Sequence, residues 1–218
     1  MGPATGYYLQ ATPNPMPTTP RLRCANDLLK FSNTPVEQAA AILAREPASP
    51  VTRAIKLWGD DEEPYSQLMR GKTSDAREWR QIIHQVLANL EPFASTKPVY
   101  RGWSFSSAKA RSEFMQAVWK RGGFANRRIG MSASRRRNVS TGKAFLNVHG
   151  MVWEIRGHRT ARNVAGIFAA VGTKYPQQRE VIFPRGSRFL LIEMNRQFRV
   201  VRGGHSVRVP YFILKELS

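Results

Sequence analysis

Gln178 and Glu180 flank Arg179 just ahead of the apolar run Val181-Ile182-Phe183, and a Pro184-Arg185-Gly186 turn follows. Residues two apart at the start of a strand point to the same side, so this spacing predicts an amide and a carboxylate facing one cleft. A carboxylate so placed can stabilise a sugar cation, and a neutral amide, both donor and acceptor, can orient the attacking group. Tyr175 lies five residues before Glu180, on the loop that leads into the pair. Upstream, Arg101 in Tyr100-Arg101-Gly102 offers a planar guanidinium suited to phosphate, and Gly102 leaves room for a phosphate group to approach. Ser132 and Ser134, in Met131-Ser132-Ala133-Ser134, supply hydroxyls at the same two-residue spacing, with Ser140-Thr141 a competing pair. The four His show no ligand spacing and Cys24 is alone, so neither a metal nor an intramolecular disulfide is expected.

These residues need strands to present them. A strand is expected at 98–103, ending at Arg101 and Trp103, and others at 129–132, 151–155, 180–183, 189–193, 198–202 and 207–214. Helical spacing precedes and interrupts them. Thr34, Pro35 and Glu37 read as cap, first and third positions of a helix reaching about residue 45. Residues 51–58 follow as a second helix. Trp79, Ile82, Ile83, Val86, Leu87 and Leu90 form one stripe on a third. A helix at 107–120 has Phe114, Val118 and Trp119 as its apolar side. Residues 1–20 hold five prolines and cannot build a core. Helices first and short strands afterwards, with no repeat period, predict an α+β fold with a mixed, two-sheet core.

Charge divides the chain sharply. Residues 1–96 carry 10 Lys and Arg against 10 acidic residues, whereas 97–218 carry 24 against 5 and hold the whole net +19. A polyanionic partner is the direct physical reading of such confinement. The start, Met-Gly-Pro-Ala-Thr-Gly-Tyr-Tyr, lacks a basic segment followed by an apolar one, and no run of eighteen apolar residues occurs. No membrane partner is expected; action is expected in the cytoplasm of the producing or a target cell, reached through a dedicated delivery apparatus.

In this order the three stretches resemble the Arg–Ser–Glu signature of the toxin-type mono-ADP-ribosyltransferases, in its Gln-x-Glu form. The Tyr175 loop, the strand and Pro-x-Gly turn after Glu180, and Tyr65-Ser-Gln-Leu-Met-Arg-Gly71 also follow the family's order, so the likeness spans roughly 51–214. Lys143-Ala144-Phe145 is similar to the Ala-Phe step after the serine loop of clostridial binary toxins. The resemblance implies an ADP-ribosyltransferase fold at 51–218, preceded by an extension at 1–50 with one short helix. It implies NAD as substrate and no metal. It gives Glu180 the catalytic carboxylate, has Ser132 orient it and Ser134 support its loop, and has Gln178 position the acceptor. Arg101 and Gly102 would then hold the diphosphate, and Phe145 the nicotinamide. The sequence departs from the pattern at Ala133, where the family has Thr, and at Val148, where it often has a second Arg.

The resemblance implies that Gln in place of the first Glu suits protein amides, thiols and guanine as acceptors. The charge confinement favours a nucleic acid, with Arg135, Arg136 and Arg137 to bind it and Trp103 and Tyr175 to stack on it. A protein acceptor, NAD hydrolysis and a non-enzymatic basic RNA-binding module are the other readings, and an acidic immunity protein is a further expected partner.

Overall fold

The computed structural model describes residues 34–60, 74–93, 95–126, 130–142, 145–174, 178–202 and 205–217. Tyr65–Gly71, Lys143, Ala144 and Tyr175, all used in the sequence reading, lie outside them, as does Cys24.

Among the described residues three helices come first: α1 (Val36–Arg45), α2 (Pro50–Gly59) and α3 (Ser74–Asn89). α2 starts where Ser49 accepts the Thr52 backbone N–H at 3.1 Å with Pro50 at its first position, a cap worth about 1 kcal/mol. α1 begins a residue later than its cap pattern predicts. Thr34 is held in a parallel bridge to Leu90, and its carbonyl accepts the Glu91 N–H at 3.2 Å, so the chain turns into the helix only after Pro35. Ala39 and Leu43 of α1, Val51, Ala54 and Ile55 of α2, and Ile82, Ile83, Val86 and Leu87 of α3 fill one core with Ile167 and Phe168 of the short helix α6 (Ala165–Ala170). α1 therefore belongs to the same packed body as the helices after residue 50.

Eight strands follow among the described residues: β1 (Val99–Trp103), β2 (Gly123–Ala125), β3 (Gly130–Ser134), β4 (Met151–Arg156), β5 (Arg162–Asn163), β6 (Glu180–Pro184), β7 (Arg188–Arg202) and β8 (His205–Leu217). Their order is β2-β7-β8-β4-β1-β3-β6-β5. Neighbours share several pairs, except β1 and β3, which meet at Tyr100 and Ser134 alone. The sheet is thus two blocks, five strands and three, joined by one residue pair, as the expected α+β class with a two-sheet core requires. β6 is buried on both faces, with Val181 and Phe183 in the inter-block core and Ile182 against the helices. That double burial explains its unbroken apolar run.

β7 runs through the break expected at 194–197, kept in one strand by irregularities between Leu191 and Glu193 and between Glu193 and Arg196. α4 (Ala108–Lys120) is capped by Ser107 at 3.1 Å. It turns Phe114, Met115 and Val118 inward but leaves Trp119 62% exposed, because residue 119 stands about 100° around the helix from 118. The helix α5 (Arg137–Ser140) packs over β1.

Candidate active site

Glu180, the first residue of β6, is half-buried and lies directly opposite Ser134. Ser134 is opposite Tyr100, and Tyr100 is opposite Glu154. Directly opposed residues share a face, so Glu154, Tyr100, Ser134 and Glu180 form a polar row across β4, β1, β3 and β6. One end of the row is tied down internally. Glu154 is buried, accepts from Arg156 Nε at 2.5 Å and from the Tyr211 hydroxyl, and these bonds satisfy a carboxylate that burial would otherwise penalise. Burial and the Glu154 carboxylate push the Tyr211 phenol well above the ordinary range. Glu180, at the other end, is half-buried as the first residue of β6.

Gln178 is placed differently from the sequence expectation. It precedes the strand, and Arg179 between it and Glu180 has φ 48°, a left-handed conformation that an arginine adopts at a cost of about 1–2 kcal/mol. The rule that residues two apart face alike holds for extended backbone and fails across such a residue. What keeps Gln178 beside Glu180 is Ser134, whose buried hydroxyl donates to the Gln178 carbonyl at 2.6 Å and accepts the Arg136 N–H at 3.0 Å. The Arg135 N–H adds a bond to the Arg179 carbonyl at 3.2 Å. Ser134, not Ser132, thus makes the direct link to the Gln178 segment. Ser132 is half-buried on the same face, opposite Ile182, and its carbonyl accepts from Arg101 Nη1.

Arg101 follows Tyr100 along β1 and therefore leaves the strand on the other side. Its guanidinium lies 4.9 Å from the Trp103 ring centroid and lines a 620 Å³ cavity with Trp103, Phe114, Phe124, Arg121 and Arg188. Glu180 is not among the residues lining that cavity. Trp103 packs against Phe114, Phe124 and Trp153, with ring centroids 5.2, 5.9 and 4.9 Å away, so its half-buried ring belongs to the aromatic cluster that walls this cavity.

The space at Gly102 is taken by the chain itself. A Cβ there would stand 2.0 Å from the Ser140 carbonyl oxygen and 2.9 Å from that of Phe145, so on this face the glycine admits α5 and the Phe145 loop instead of a phosphate. Ser140, the competing serine, is buried and donates to the Tyr100 carbonyl at 2.6 Å, while Thr141 bonds the Arg137 carbonyl at 3.0 Å. Both hold α5 in place. Phe145 is half-buried, and its carbonyl accepts from Ser104 at 3.1 Å.

The arginine triplet is divided between two tasks. Arg137 opens α5 and places its guanidinium 5.5 Å from the Phe198 ring, on the scaffold side. Arg135 and Arg136 are exposed beside Gln178 and Glu180. Desolvation, then the charges of Arg179 and Arg136, lower the proton affinity of Arg135. Arg179, which the sequence reading passed over, completes this group; a positive φ in a non-glycine residue leaves no trace in sequence spacing.

Among the described residues no three His, Cys, Asp or Glu gather as metal ligands, and no helix is long and apolar enough to cross a membrane. No protein-family profile matches the sequence, and no curated protein matches it by sequence. Solved structures do. The ADP-ribosyltransferase HopU1 of Pseudomonas syringae pv. Tomato is 15% identical, with 87% of this chain and 86% of that one covered and a TM-score of 0.52. The Vis toxin, an ADP-ribosyltransferase from Vibrio splendidus, is 12% identical over 92% and 89%, also at 0.52. Plx2a, an ADP-ribosyltransferase toxin from Paenibacillus larvae, is 17% identical over 88% and 96%, at 0.50. The chain therefore has the fold of the ADP-ribosyltransferase toxins and effectors.

Proposed function

We propose that this chain is an NAD-dependent mono-ADP-ribosyltransferase that uses Glu180 as its catalytic carboxylate and a nucleic-acid base as its acceptor. The observation that carries the reading is Glu180 opposite Ser134, at the β6 end of a polar row beside the single-pair junction of an ADP-ribosyltransferase fold. The chemistry is a displacement at the anomeric carbon of the nicotinamide ribose. The C1′–N bond breaks with its electron pair going to the pyridinium nitrogen, which leaves as neutral nicotinamide. Positive charge grows on C1′ and the ring oxygen, where the Glu180 carboxylate stabilises it. A base nitrogen then bonds to C1′ and gives up its proton.

Arg101 would take the diphosphate where β1 and β3 separate, with Ser132, Ser134 and Phe145 shaping the NAD side and Gln178 meeting the acceptor. The nucleic-acid assignment is supported by the net +19 confined to 97–218 and by exposed Arg135 and Arg136 next to Gln178. Incubation with adenine-labelled NAD and total RNA, DNA and protein tests the reading. Label that resists protease and is lost to nuclease is expected; label on protein alone overturns the acceptor. Absence of nicotinamide release overturns the enzyme.

A further inference from the structure

Resting on that reading, we infer that Arg179, together with Arg135 and Arg136, is a phosphodiester clamp that holds the acceptor nucleic acid against Glu180. Four observations converge on it. The three guanidinium-bearing residues are exposed, and among the described residues none of them makes an ion pair. They are held together through the backbone: Arg135 N–H to the Arg179 carbonyl at 3.2 Å, and Ser134 joining Arg136 N–H to the Gln178 carbonyl at 3.0 and 2.6 Å. Between Glu113 and Glu193 the chain contains two acidic residues, and one of them, Glu154, is already bonded to Arg156 and Tyr211. Finally, Arg179 keeps its left-handed φ of 48° at a position where glycine would be free of strain.

Three like charges gathered on a strained backbone destabilise the free protein, and an anion placed among them relieves that repulsion. Guanidinium groups make planar, two-pronged contacts with phosphate, which a compact ammonium cannot. Burial, and then the charges of Arg179 and Arg136, lower the proton affinity of Arg135, in keeping with the closeness of the three. Arg135 also lies 5.5 Å from the Phe93 ring centroid, which fixes its direction and limits its own freedom. Nucleic acid fits better than an acidic peptide because its phosphates recur at fixed spacing next to bases, and Gln178 stands at the clamp with the donor and acceptor that a base edge requires.

The test is equilibrium binding of the full chain to fluorescein-labelled single-stranded RNA and DNA 20-mers from low to moderate salt. Arg179→Gly keeps the left-handed backbone accessible while removing the charge, and Arg185→Ala, in the exposed Pro184–Gly186 turn, removes the same charge elsewhere. Arg179→Gly is expected to lower the log–log salt slope by about 0.7 and the Arg135→Ala/Arg136→Ala/Arg179→Gly triple variant by about 2, against little change for Arg185→Ala. Response to RNA alone, DNA alone or both identifies the strand used. An unchanged slope in Arg179→Gly overturns the clamp, as does equal loss in Arg185→Ala. A KM for NAD raised as much as the nucleic-acid Kd places the cluster on the dinucleotide and also overturns it. Glu180-dependent nicotinamide release by the wild-type chain, measured alongside, separates failure of the clamp from failure of the enzymatic reading.

Discussion

Glu180→Gln preserves the shape of one side chain at the head of β6 and removes the charge proposed to oppose the ribosyl cation. Nicotinamide release should fall by at least about two orders of magnitude, while thermal unfolding stays near wild type because the side chain is half-buried at a strand start. Turnover close to wild type would end the assignment. Gly102 tests packing instead of chemistry. A Cβ would meet the Ser140 carbonyl at 2.0 Å, and backbone cannot swing aside as a side chain can, so Gly102→Ala should cost about 3 kcal/mol, read as a lower urea midpoint. Tyr211 carries a pH signature. Its folded-state pKa is raised, so its contribution is complete below the unfolded phenol's value near 10 and is lost as pH rises above it. Tyr211→Phe should lose stability at neutral pH, by removing a donor from buried Glu154, and should show a shallower decline than wild type above about pH 10.

Among the elements, those built on periodicity were legible in sequence and those built on partners were not. The stripe on α3 and the Val181-Ile182-Phe183 run announce themselves because burial demands consecutive or regularly spaced apolar residues. β2 is three residues long and exists because β7 pairs with it, and β7 crosses polar Glu193 and Arg196 by irregular register with β8. Neither leaves a local pattern. The site shows the same division. Glu180 stands on a strand that the apolar run foretold, and Ser134 on one that runs two residues past the strand expected at 129–132, whereas Arg179 and the Arg137–Phe198 contact depend on a backbone conformation and a distant hairpin. Ser134 joins these parts, and Ser134→Ala should leave the Gln178 carbonyl and Arg136 N–H without their shared partner. A loss of about 1–3 kcal/mol is expected. Limited trypsin digestion should then cut faster after Arg179, detectable by mass spectrometry of the fragments; unchanged cleavage would show that the hydroxyl is dispensable.

For the whole molecule, the uneven charge is the dominant physical fact. A net +19 resists compaction through self-repulsion, and Arg199 directly opposite Arg208 on the β7–β8 hairpin adds a local instance. The urea midpoint should therefore rise with sodium chloride between about 20 and 300 mM as screening shortens the reach of these charges. Arg208→Glu should raise it at low salt and weaken its salt dependence. The single-pair junction of β1 with β3 has a different consequence, one of threading. Along the chain the described strands alternate between the blocks: β1 and β2 in one, β3 in the other, β4 back, β5 and β6 across again, and β7 and β8 returning. Neither block is a continuous piece of polypeptide, so neither can be excised and expressed alone. A protease nick in one crossing gives two polypeptides that remain interleaved by strand pairing, and the cleaved protein should stay a single particle by size-exclusion chromatography.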